Sequence, residues 1–130
     1  AYVCLKKLEE ISNQSSTIYR FFDAFVEMLD SDNSYIRTRG LLLIAANAKW
    51  DMDNKIDEII DKFLKCITDE KPITARQCIK ALPSITKHKP DLIKDIETAL
   101  RGTNLSRYQE NMQALIFMDI QKALRDIENI

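Results

Sequence analysis

Residues 56–89, IDEIIDKFLKCITDEKPITARQCIKALPSITKHK, decide the fold. Ile56, Ile59, Ile60, Phe63, Leu64 and Ile67 recur at spacings of three and four, which lays one apolar stripe along an α-helix. Ala75, Cys78, Ile79, Leu82 and Ile85 do the same further on. Between the two stripes lies Thr68-Asp69-Glu70-Lys71-Pro72. Asp69 reads as an N-cap for the second helix. Pro72 then falls in its first turn, where a missing N–H leaves no intrahelical bond unmade. Two amphipathic helices on so short a link pack antiparallel.

The unit recurs. Adding 38 to Ile18, Phe21, Phe22, Phe25, Val26, Met28 and Leu29 gives Ile56, Ile59, Ile60, Phe63, Leu64, Cys66 and Ile67, all apolar. Past the link, an offset of 37 carries Asp32, Ile36 and Arg39 onto Asp69, Ile73 and Arg76, which makes the first link one residue longer. A weaker third copy places Leu92, Ile93, Ile96 and Leu100 33 residues after Ile59, Ile60, Phe63 and Ile67, ahead of a longer link. Repeats of this length indicate a helical solenoid.

A helix ending in Leu, an Asp-containing link, and Ile36-Arg37 or Ile73-Thr74 opening the next helix resemble the HEAT repeats of armadillo-type α-solenoids over residues 17–127. The family pattern sets its Asp five residues before the apolar position and an Arg just after it. Here Asp32 and Asp69 lie four residues before Ile36 and Ile73, and Thr74 stands in place of the Arg. These departures argue against a regular inter-repeat ladder of Asp and Arg. The resemblance implies an all-α, right-handed solenoid of about three antiparallel helix pairs behind an N-terminal capping helix. Its units are a cap at 1–14 and repeats at 15–50, 51–89 and 90–130.

The 130 residues suffice for one domain with a real core, and 45% apolar with 30% charged residues is ordinary for a globular protein. Two glycines and three prolines leave little room for β-turns. The longest uncharged apolar run, residues 40–46, is far below the roughly 20 residues that span a bilayer, so no membrane segment is expected. No targeting segment is visible, and a start at Ala1 rather than Met leaves room for residues upstream. Cys4, Cys66 and Cys78 are odd in number and fall on apolar helix faces. That pattern fits buried, reduced thiols in a cytoplasmic protein better than a disulfide framework.

Within the first helix, Cys4, Leu5, Leu8 and Ile11 read as inward. Residues 34–50 carry Leu41-Leu42-Leu43-Ile44-Ala45-Ala46, apolar all round, which marks a helix surrounded by others. Gly40 inside it implies close approach of a neighbouring backbone. Pro83 either kinks the helix that starts near Pro72 or divides it in two. Gly102 is expected to supply a left-handed cap after Leu100. From Ser106, Met112, Ile116, Ile120, Ala123, Leu124 and Ile127 form one stripe on a helix of about 36 Å if unbroken. Leu115, Phe117 and Met118 lie off that stripe, and a core role against the preceding helix is favoured over an exposed patch.

Little catalytic chemistry is legible. The single histidine, His88, sits between lysines at a helix end, the pair Asp57 and Asp61 reads as a solvated face, and Gly40 and Gly102 build no phosphate loop. No clustered Cys or His suggests a metal, and no cofactor is implied. The net charge of −1 conceals a dipole. Residues 51–61 hold five acids against Lys55, whereas residues 71–94 hold six Lys or Arg against Asp91.

At 100° per residue Arg76, Lys80, Pro83 and Lys87 share one face, and a shift of 37 adds Arg39 and Trp50. The HEAT resemblance implies that second helices line a concave surface, which would put Arg39, Trp50, Arg76, Lys80 and Lys87 in one groove. The plainer alternative makes these lysines a solvated face and Trp50 a gap filler.

The leading reading is a non-enzymatic binding or scaffold module for a protein or peptide with an acidic surface, itself a monomer or weak dimer. The alternatives are a nucleic-acid-binding protein resembling HEAT-like DNA glycosylases, and an accessory factor of an enzyme. A pI near 5.9 counts against nucleic acid.

Overall fold

Helical periodicity governs the chain from end to end. The structure, a computed structural model, describes residues 2–129; Ala1 and Ile130, the outermost residues of the cap and of the third unit, lie outside them. Seven α-helices and no strand occur among the described residues. They are α1 (Tyr2–Gln14), α2 (Phe22–Met28), α3 (Ser34–Ala46), α4 (Lys55–Lys65), α5 (Pro72–His88), α6 (Ile93–Arg101) and α7 (Glu110–Glu128). Short 3-10 turns, Ser16–Phe21, Ala48–Trp50, Cys66–Thr68 and Pro90–Leu92, flank them.

α1, α3, α5 and α7 contact one another in that order, while α2 packs on α3 and α6 on both α5 and α7. α4 is tied to α2 by Lys55–Asp23 at 3.4 Å and Lys62–Asp30 at 2.8 Å. Its Phe63 carbonyl also accepts from the Cys78 thiol of α5 at 3.4 Å. The expected stripes form the core: Ile56, Phe63, Ile79, Leu82, Ile85, Ile96 and Ile116 are wholly buried.

The repeat is more regular than an offset of 37 allows. The helices α3, α5 and α7 start at Ser34, Pro72 and Glu110, each 38 after the last. Burial follows the same step: Arg37, Gly40, Leu41, Leu43, Ile44, Asn47 and Ala48 map by 38 onto Ala75, Cys78, Ile79, Ala81, Leu82, Ile85 and Thr86, every one buried. The error arose from matching Ile36 to Ile73, because Ile73 is 69% exposed and marks no core position.

Gly40 behaves as expected. A Cβ there would lie 2.8 Å from the Phe25 carbonyl oxygen and 2.9 Å from Met28 Cβ, so only glycine lets α3 approach α2 this closely. α5 runs unbroken through Pro83, because the wholly buried Ile79, Leu82 and Ile85 on either side hold the stripe together against a cost of about 3 kcal/mol.

Several expectations need correction. Asp69 does not cap α5; its Oδ2 accepts from Lys71 N at 2.9 Å, and its carboxylate is taken up by Arg37 across the repeat. Gly102 is not left-handed, with φ −90°, and Thr103 Oγ1 donates to the Ala99 carbonyl at 2.8 Å to serve the helix end instead. α3 stops at Ala46, where Asn47 Nδ2 turns back to the Leu43 carbonyl at 2.8 Å. α7 begins at Glu110, not Ser106, so its 19 residues span about 28 Å. The residues ahead of it are held down by Arg107 and Tyr108, which donate to the carbonyls of Thr68 and Asp69.

Cys4 and Ile11 face solvent rather than the core; α1 packs on α3 and on the turn Ser16–Phe21 through its other side chains. Leu115, Phe117 and Met118 are likewise exposed, at 40%, 56% and 65%. Cys66 and Cys78 are buried, and all three thiols are free. Burial, with help from the Asp69 carboxylate, pushes the Cys66 thiol up to about 11.

Candidate functional site

α1, α3 and α5 share a face that opens into a cleft of about 430 Å³. α5 contributes Gln77, Lys80, Ser84, Lys87 and His88, α3 contributes Leu42, Ala45 and Ala46, and α1 contributes Glu9 and Asn13. Lys49, just past the end of α3, completes the lining. Leu42, Ala45 and Ala46 of α3 and Ala81 of α5 supply the apolar part of a mostly polar lining, and Lys49, Lys80 and Lys87 its cations. Lys80 and Lys87, two helical turns apart, are both exposed and make no ion pair among the described residues. Lys49 Nζ donates to the Asn13 carbonyl at 2.7 Å and lies 5.8 Å from the Trp50 ring centre. Burial, then the neighbouring charges of Lys87 and Lys49, lower the His88 pKa, so the cleft already resists further positive charge.

The residues expected in one groove are dispersed. Lys80 and Lys87 do line the cleft together. Arg76 is instead engaged by α7, its Nε 2.6 Å from Asp119 Oδ2, in a pair where the aspartate is only 11% exposed. Trp50 donates its indole N–H to the Ser12 carbonyl at 2.6 Å and fastens the end of α1. Arg39 is half-buried and outside the lining. Lys49 and His88 were missed, and the repeat itself held the signal: a step of 38 from Lys87 arrives at Lys49, where a step of 37 arrives at Trp50.

A second polar centre is sealed. Lys89 is 6% exposed, and its Nζ reaches Asn54 Oδ1 at 2.5 Å, Asp57 Oδ1 at 2.8 Å and Asp51 Oδ2 at 3.3 Å. Asp51 also accepts from Tyr19 Oη at 2.7 Å and from the amides of Lys55 and Ile56 at 2.9 Å each, so it caps α4. Burial alone would lower the Lys89 pKa, yet its bonds to Asp57 and Asp51 raise it. Burial likewise works against ionisation of Asp57, but the neighbouring Asp91, whose own carboxyl is raised in turn, and the Lys89 ammonium 2.8 Å away hold it below the usual range. The acids of residues 51–61 are therefore not all a solvated face. Asp51, with a side chain 0% exposed, has its oxygens committed and no room for a substrate.

Arg37 forms a polar contact between the first and second units. It grips Asp69 through Nε and Nη2, both at 2.9 Å, and donates through Nη1 to the Ser31 carbonyl at 2.8 Å. An Asp–Arg rung thus does bridge the first and second repeats, despite the shifted spacing. Beside it Thr74 meets Thr38, with hydroxyls 2.9 Å apart.

No group of three or more His, Cys, Asp or Glu able to hold a metal occurs among the described residues. No helix among them is long and apolar enough to cross a membrane. Neither a family model, a curated protein nor a solved structure matches the chain.

Proposed function

We propose that the chain is a non-enzymatic, HEAT-like helical-repeat module that binds an acidic stretch of a protein or peptide in the cleft between α1, α3 and α5. The observation carrying this reading is that Lys80 and Lys87 stand unpaired beside Lys49 and His88, with Glu9 the one carboxylate of the lining. Cations beside the apolar residues of α3 favour an anionic, partly apolar segment, and the resemblance to HEAT repeats implies that this is the concave face. The two buried free thiols fit a reducing, cytoplasmic setting. A sequence pI near 5.9 and the small number of cations favour a peptide over a phosphate backbone.

The test uses a fluorescent Glu- and Asp-rich peptide and random-sequence duplex DNA, each titrated with the protein at low and high salt. Saturable peptide binding that weakens with salt and is lost in Lys80→Glu/Lys87→Glu supports the reading. Tighter binding of the duplex would replace it with the nucleic-acid alternative. Equal peptide binding by parent and double variant would exclude the cleft.

A further inference from the structure

Independently of that reading, we propose that α7 is a self-association surface on which a second copy of this chain packs its own α7 antiparallel about a two-fold axis. Phe117 and Met118 are more than half exposed, although Ile79, the residue 38 before Phe117, is wholly buried. The repeat covers this one position in α5 and leaves it open in α7, whereas Lys80 and Lys87, the counterparts of Met118 and Arg125, are exposed in α5 as well.

The chemistry of the open face is self-complementary. At 100° per residue Phe117, Glu110, Gln121, Ala114, Arg125 and Met118 fall in that order within an arc of about 100°. Reversing the helix about the midpoint between Phe117 and Met118 exchanges those two residues, exchanges Ala114 with Gln121, and exchanges Glu110 with Arg125. An antiparallel partner keeps each flank of the face on its own side, so the two phenyl rings meet along one edge and the two thioethers along the other, with the small Ala114 opposite Gln121 and each Glu110 within reach of an Arg125. Glu110 and Arg125 are exposed, and their side chains make no ion pair among the described residues. Parallel pairing would instead set like charges side by side.

Sedimentation of the full chain from micromolar to millimolar concentration tests this, with far-UV circular dichroism confirming that each variant remains folded. The parent should dimerise reversibly. Glu110→Arg and Arg125→Glu should each weaken the dimer roughly tenfold, because every copy of the contact occurs twice. The double variant E110R/R125E should recover most of the loss, a rescue that only antiparallel self-pairing gives. Met118→Asp should leave a monomer of unchanged helicity. A parent that stays monomeric throughout, a double variant weaker than both singles, or a dimer indifferent to Met118→Asp would each overturn the proposal, and a monomer that captures a foreign amphipathic helix on α7 would do so equally.

Discussion

Lys87 and Lys89 are two residues apart in sequence and opposite in circumstance. Lys87 stands on the rim of the cleft, exposed and unpaired, whereas Lys89 is 6% exposed with Asp51, Asp57 and Asn54 around its ammonium. A count of charge along residues 71–94 treats them alike. The fold spends Lys89 on joining the ends of α4 and α5, and Arg76 on joining α5 to α7. The basic character left for a ligand is then smaller and more local than the sequence total. A cation at a seam between helices is structural, whereas one on an open face is available for binding.

The sharpest way to break this contrast is Lys89→Met. Removing the ammonium leaves the buried Asp51 and the partly exposed Asp57 without their cation, so a loss of about 3–5 kcal/mol is expected, measured by urea unfolding. A loss below about 1 kcal/mol would mean that Lys89 is no more structural than Lys87.

Arg76→Glu tests the intermediate case. Reversing a freely exposed cation changes stability little, but Arg76 lies 2.6 Å from a mostly buried Asp119. Setting a carboxylate there should cost about 1–3 kcal/mol, less than Lys89→Met because the arginine is 28% exposed. Lys80→Glu/Lys87→Glu should by contrast stay within about 0.5 kcal/mol of the parent while losing the peptide, as read by unfolding and anisotropy together.

Acidity separates the two lysines further. Asp57 has its folded pKa depressed below the ordinary 3.8, so its contribution is fully present above that value and is lost as pH falls through the folded pKa. Lys89 is raised above 10.5, so its contribution is present below that value and is lost as pH rises through the folded pKa. Lys89→Met should flatten both limbs of the stability curve. The smallest effect belongs to the cleft: His88 is depressed below 6.5 and stays neutral at pH 7, so peptide affinity should rise modestly as pH falls below that value. His88→Gln should abolish the rise.

Helical class, the positions of the apolar stripes and the exception made for Gly40 were legible in the sequence, since each depends on local period or on a residue type with one physical use. Spacing alone also determined that α2 and α4 are copies: Phe22 and Ile60, and Phe25 and Phe63, are all buried. Tertiary structure decided what lies across from a side chain. Nothing local distinguishes Lys87 from Lys89, Cys4 from Cys78, or Ile73 from Ile79, because exposure depends on whether a neighbouring element covers that arc of the helix. The register past the link was decided there too: one residue, or 100° of helix, determines whether Lys49 or Trp50 is the counterpart of Lys87. Period is a property of the chain, whereas pairing of charges is a property of distances that only the packed helices set.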